Sequence, residues 1–177
     1  KVHEQEMDSP LFENMENLKP VIPAGSSDSA ALDSVFELLN ISGQPAPLAK
    51  LMLIPDAWSK KSKTLSRDHQ QLFNFLNSTM EPWDGPAAIA GTDNEWVIAA
   101  TDRNGLRPMR YTITKDKILC AGSETGMVKL DEKKIITKGR LGPGEIIGVR
   151  IEKGKVFTNS QIKDFLAKEY KHFNNQI

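Results

Sequence analysis

The stretch ATDRNGLRPMRY brings Arg103, Arg107 and Arg110 within eight positions, beside a glycine and a proline that restrict the backbone. Guanidinium groups bind carboxylates and phosphates as planar forks. Such density is therefore an anion grip, a set of internal ion pairs or a solvated turn. Asn104-Gly105 suits the positive φ angles of a tight turn, so the local reading is a hairpin with solvated arginines. Arg107 differs, because Pro108 holds its backbone extended; this aims the guanidinium in a fixed direction and favours a bidentate carboxylate partner.

Gly25-Ser26-Ser27-Asp28-Ser29 is a second candidate. At a helix start, free N–H groups and small hydroxyls can hold an anion, Asp28 can grip an ammonium group, or Ser27 or Asp28 can do no more than cap the helix. The glycine-serine lead gives a ligand room to approach the backbone. Met80-Glu81-Pro82-Trp83-Asp84-Gly85-Pro86 reads as a rigid corner. Cys120, within ILCAG, reads as a buried structural thiol, because nothing beside it in sequence would lower its pKa. One cysteine excludes an internal disulfide, and histidines at 3, 69 and 172 lack ligand spacing, so no metal site is expected.

The elements that must position these groups follow from periodicity. Leu32, Val35, Phe36 and Leu39 mark a helix from Ser27 to near Gly43. A short helix burying Leu48, Leu51 and Met52 ends at Pro55, and residues 66–80 form another, with Ser66 as cap and Leu72, Phe73, Leu76 and Met80 inward. Period-two runs then take over. PAAIAG pairs with EWVIAATD, Met109–Thr114 with Ile118–Ala121, and GEIIGVRI with KVFTN. A last helix, from about Asn159 to Lys171, sets Ile162, Phe165 and Leu166 on one face. Helices at the ends with antiparallel hairpins between them give an α+β fold in one domain.

Composition restricts the partners. Lys plus Arg, 23, equals Asp plus Glu, 23, which supplies no basic field for nucleic acid. No apolar run is long enough to span a membrane, and KVHEQEMDSP lacks a signal-peptide core; a soluble, cytoplasmic protein is expected. Lys1 is no initiator methionine, so the expectation is a processed chain or a piece of a longer one.

The order GSSDSA, LMLIPDAW, MEPWDGPAAIA, ATDRNGLRPMRY, CAGSETG and KGRLGPGE resembles the class II glutamine amidotransferase domains of glutamate synthases over nearly the whole chain. MEPWDGPA and the absence of a phosphoribosyl-binding segment set it apart from phosphoribosylamine-forming amidotransferases. The resemblance implies an N-terminal-nucleophile hydrolase fold, a four-layer αββα sandwich, of which residues 1–177 would be the C-terminal part. It implies hydrolysis of the glutamine side-chain amide, with ammonia passed to a synthase region that carries FMN and an iron–sulfur cluster and aminates 2-oxoglutarate. By the same resemblance Asp28 holds the glutamine α-ammonium, Ser27 neighbours it, and the N-terminal cysteine nucleophile, the oxyanion Asn-Gly and the carboxylate-binding arginine precede Lys1. No residue here is then catalytic, no cofactor binds this chain, and the arginines of DRNGLRP are internal staples or contacts to the rest of the synthase. The segment alone is expected to be inactive as a glutaminase and to be marginally stable or self-associating. The alternative is a cysteine-less glutamine-binding or structural module.

Overall fold

Serine and threonine hydroxyls, proline rings and a glutamine amide set the helix starts in a computed structural model that describes residues 13–55 and 66–170. In α1 (Asp28–Ile41) the Ser27 hydroxyl accepts the Ala30 N–H at 3.2 Å, and the chain leaves through Gly43 at φ 84°. Proline at 45 and 47 starts α2 (Ala46–Leu53), every residue of which is buried, as expected of a helix apolar on all sides. Ser66 caps α3 (Arg67–Thr79), and the Thr158 N–H donates to Gln161 Oε1 at 3.0 Å to open α4 (Asn159–Glu169). His69 pairs with Asp164 at 2.9 Å and ties α3 to α4. DAW of the LMLIPDAW run and Lys171 lie outside the described residues, and α4, expected to run to about Lys171, ends at Glu169 with Tyr170 as its C-cap.

Among the described residues, seven strands follow the helices α1 to α3: β1 (Ala88–Thr92), β2 (Trp96–Thr101), β3 (Arg110–Thr114), β4 (Leu119–Gly122), β5 (Ile135–Arg140), β6 (Ile146–Arg150) and β7 (Lys155–Phe157). They form two antiparallel sheets, ordered β1-β2-β6-β7 and β4-β3-β5. The three expected hairpins are present, and β2 pairs in addition with β6 through Ala100↔Ile146 and Ile98↔Gly148. Strand β5 falls where the sequence reading places no strand. Its partner is β3, through Tyr111↔Gly139 and Thr112↔Lys138.

Alternation along the central strands divides the core. Trp96, Ile98, Ala100 and Ile146 join the helices in the larger apolar cluster, with Val35, Leu51, Leu76 and Ile162. Ala99 and Ile147, one residue out of phase, turn to the other side and pack with Met109 and Leu141, flanked by Tyr111 and Leu119 of the small sheet. The described residues thus stack as a helix layer, a four-stranded sheet and a three-stranded sheet, which establishes the α+β class.

The outward face of the small sheet corrects the reading of Cys120. Thr112, opposite both Cys120 and Lys138 in register, faces away from the Tyr111–Leu119 side. Cys120 is therefore half-buried rather than buried in the core.

Candidate functional site

The N-terminal turn of α1 presents Ser27, Asp28 and Ser29 to solvent. Ser27 is engaged twice: its Oγ accepts the Ala30 N–H and lies 3.2 Å from Ser29 Oγ. With one N–H already capped and a carboxylate at the first helical position, this end opposes an anion. It suits a cation approaching Asp28 from the solvent side.

The backbone beneath Asp28 is held by the tryptophan of the MEPWDGP corner. Trp83, 5% exposed, donates its indole Nε1–H to the Asp28 carbonyl at 3.0 Å, and its own backbone N–H to Leu53 O at 2.7 Å. Gly85 is needed there, because at φ 151° a Cβ would lie 2.9 Å from the indole ring.

Four residues after Trp83 the same strap reaches a second polar centre. Asp102, 1% exposed, accepts four backbone N–H groups: Ala87 and Arg107 on Oδ2, Asn104 and Leu106 on Oδ1, at 3.0–3.1 Å. Burial alone would raise its pKa, but the bonds from Arg107, Leu106, Ala87 and Asn104 outweigh that and hold the carboxyl below the ordinary aspartate value. Its backbone also takes part, with N–H to Ala87 O and carbonyl to Gly144 N–H.

The 141–145 turn, from LGPGE, closes over this centre. Thr101 Oγ1 donates to Gly142 O at 2.7 Å, Gly142 N–H donates to Glu145 Oε2 at 2.7 Å, and the buried Lys50 Nζ donates to Gly144 O at 2.7 Å. Gly105 turns at φ 64° with Pro143 so close that a Cβ would meet its Cα at 3.0 Å. One connected set of bonds thus joins α1, α2, the 83–87 strap and the crossing between the sheets.

The arginines do not make the expected staple. Arg103, Arg107 and Arg110 are exposed, and among the described residues none of their guanidinium groups forms an ion pair. What Arg107 contributes is its backbone N–H, donated to Asp102 five residues upstream, and the bidentate carboxylate expected for its guanidinium is not found among the described residues. DRNG is also no hairpin: it carries the chain from β2 in one sheet to β3 in the other. Sequence reasoning passed over Asp102, Lys50 and Glu145. The signals were an Asp heading a D-x-N-G turn, where side-chain capping of following N–H groups is common, and a lone lysine inside the apolar run APLAKLMLIP.

A family model described as "Glutamine amidotransferases class-II" matches residues 1–174. The chain belongs to that family. Membership implies the N-terminal-nucleophile hydrolase fold, with which the mixed helices and antiparallel sheets agree. Among curated relatives of this amidotransferase chain, "Glutamate synthase [NADPH] large chain" of Azospirillum brasilense is 54% identical over 94% of the chain and 11% of its own length. The protein of the same name from Bacillus subtilis is 35% identical over 96% and 11%. "Ferredoxin-dependent glutamate synthase 2, chloroplastic" of Arabidopsis thaliana is 40% identical over 93% and 10%. The amidotransferase chain therefore spans about a tenth of the length of these relatives. Among its described residues there is no cluster of three metal-ligating side chains and no helix long and apolar enough to cross a membrane.

Proposed function

We propose that the chain is the C-terminal part of the glutaminase domain of a glutamate synthase, and that Asp28 binds the α-ammonium group of glutamine with Ser27 as its hydrogen-bonding neighbour. The observation that carries this reading is the solvent-facing Asp28 carboxylate on a helix turn fixed from below by Trp83. An ammonium group approaching that turn meets a full negative charge on backbone that does not have to be reorganised, and charge-assisted hydrogen bonds of this kind are the stronger ones.

Amide hydrolysis needs more than this grip. A thiol nucleophile with a free α-amine as base, an oxyanion hole and a cation for the substrate carboxylate belong, in this reading, to chain outside residues 1–177. Cys120 is internal, on strand β4, and has no α-amine beside it. The helix–sheet–sheet stack supplies three layers of an αββα sandwich, and helices of the remaining part pack on the outward face of the small sheet. The segment alone is then inactive.

Ammonia released there passes to the remainder of a cytoplasmic enzyme, where FMN and an iron–sulfur cluster serve the amination of 2-oxoglutarate. This chain's residues do not fit such a cluster, since it has one cysteine and a cluster takes about four thiolates.

The test is Asp28→Asn in the full-length enzyme. Loss of one charged hydrogen bond should raise the KM for glutamine about 10- to 100-fold, with a smaller change in kcat. An unchanged KM in a glutaminase assay would remove Asp28 from the substrate site.

A further inference from the structure

The outward face of the small sheet carries charge of one sign. Arg110 of β3 is paired in register with Arg140 of β5, and the next rung on that face pairs Thr112 with Lys138. Alternation puts Arg110, Arg140 and Lys138 on the Thr112 side, away from Tyr111 and the core between the sheets. All three cations are exposed, and among the described residues none has an ion pair. No carboxylate stands on either rung, since the β4 positions are Gly122 and Cys120. Glu124, which lines a cleft with Arg110, is not within ion-pair distance of it. Like charges directly opposite on an antiparallel pair, with Cβ atoms about 5 Å apart, are destabilising. A carboxylate brought against both guanidiniums reverses that sign.

Apolar surface adjoins the cations. The Met127 methyl occupies the space that a Cβ at Gly122 would take, on the rung of Arg110. With Val128, Cys120 and Arg110 it lines a cleft of about 290 Å³. Ile136, two residues before Lys138 on β5, is 59% exposed. A small free anion would satisfy the arginines and leave these side chains in water. A nucleic acid would bring phosphates to them, and the chain has no excess of positive charge to hold one. A protein surface that is apolar along one side and acidic at one end matches both parts of the face.

We propose that an acidic amphipathic helix, supplied by polypeptide outside residues 1–177, docks here with its carboxylates on Arg110 and Arg140 and its apolar side over Met127, Val128 and Ile136. The inference rests on the reading of the chain as part of a glutaminase domain and gives the chemistry of the helix layer placed on this face.

Phenylglyoxal modification of the unsubstituted full-length enzyme, read by peptide mapping, tests it, with Arg67, exposed at the start of α3, as the reference. Arg110 and Arg140 are expected to react at least about tenfold more slowly than Arg67. Equal rates overturn the proposal, and protection that needs added phosphatidylserine vesicles overturns it in favour of a membrane surface. The second measurement is alkylation of Cys120, which lies on the same face. Arg110→Glu with Arg140→Glu should raise its rate about tenfold or more, whereas Arg110→Lys with Arg140→Lys, which keeps both charges, should raise it less. A rate that reversal leaves unchanged, or that both pairs raise equally, overturns the proposal. Neither readout involves glutamine. Freely reacting arginines with a raised KM in Asp28→Asn overturn the docking alone, and protected arginines with an unchanged KM overturn the role of Asp28 alone.

Discussion

Asp102 shows how a single carboxylate can organise a loop whose basic residues attract notice first. Its two oxygens each receive two backbone N–H groups. In Asp102→Asn, whichever way the amide is turned, one pair of N–H donors faces an NH₂ group. We expect destabilisation of at least about 2 kcal/mol, measured by urea unfolding. The pH dependence follows from the lowered folded-state pKa. The stabilisation is complete above the ordinary aspartate pKa and is lost as pH falls below that value and through the lowered one. Asp102→Asn should therefore be less stable at neutral pH, with a shallower loss on acidification. Much at this scale was legible: Ser27 and Ser66 cap the helices assigned to them. The Asp102 role was only partly so: the D-x-N-G turn signals capping of the N–H groups of residues 104–107, whereas the Ala87 N–H reaches Asp102 only once β1 and β2 have paired.

At the scale of elements, the 83–87 strap links the candidate substrate residue to the sheets. Trp83→Phe keeps most of the ring but removes the Nε1–H that holds the Asp28 carbonyl. The expected cost is about 1 kcal/mol of stability, with faster hydrogen exchange in the first turn of α1 and a higher KM for glutamine; unchanged exchange there would show that the indole bond does not fix Asp28. The helices and six of the strands were legible because caps, prolines and apolar spacing agree with one another. Strand β5 was not. Ile135-Ile136 breaks the alternation, Lys138, Gly139 and Arg140 weaken the strand signature, and the strand exists because Gly139 leaves room for the Tyr111 ring, which would lie 2.3 Å from an added Cβ. That accommodation is tertiary and leaves no local pattern.

For the whole molecule, the small sheet and its adjoining loop leave Ile118, Met127, Val128 and Ile136 each at least 48% exposed, and among the described residues β4 and β5 end the sheet as open edges. Exposed apolar side chains beside unpaired strand edges favour association. The 177-residue chain alone should show concentration-dependent sedimentation, reduced by Ile136→Lys with Val128→Lys. A monomer at all concentrations that unfolds in one cooperative step would contradict this.

The Asp102 knot also bears on the order of assembly. Its donors and acceptors come from Ala87, from residues 104–107 and from Gly144, which belong to separate hairpins and to the passage between two sheets. Residues 104–107 can cap it locally, but the Ala87 and Gly144 bonds close only after those parts have docked. Substitution at Asp102 should therefore accelerate unfolding while leaving the refolding rate nearly unchanged, as for contacts made after the transition state, whereas truncation of Leu51 or Leu76 in the main core should slow refolding. The polar centre would then act as the latch of the folded chain rather than its nucleus.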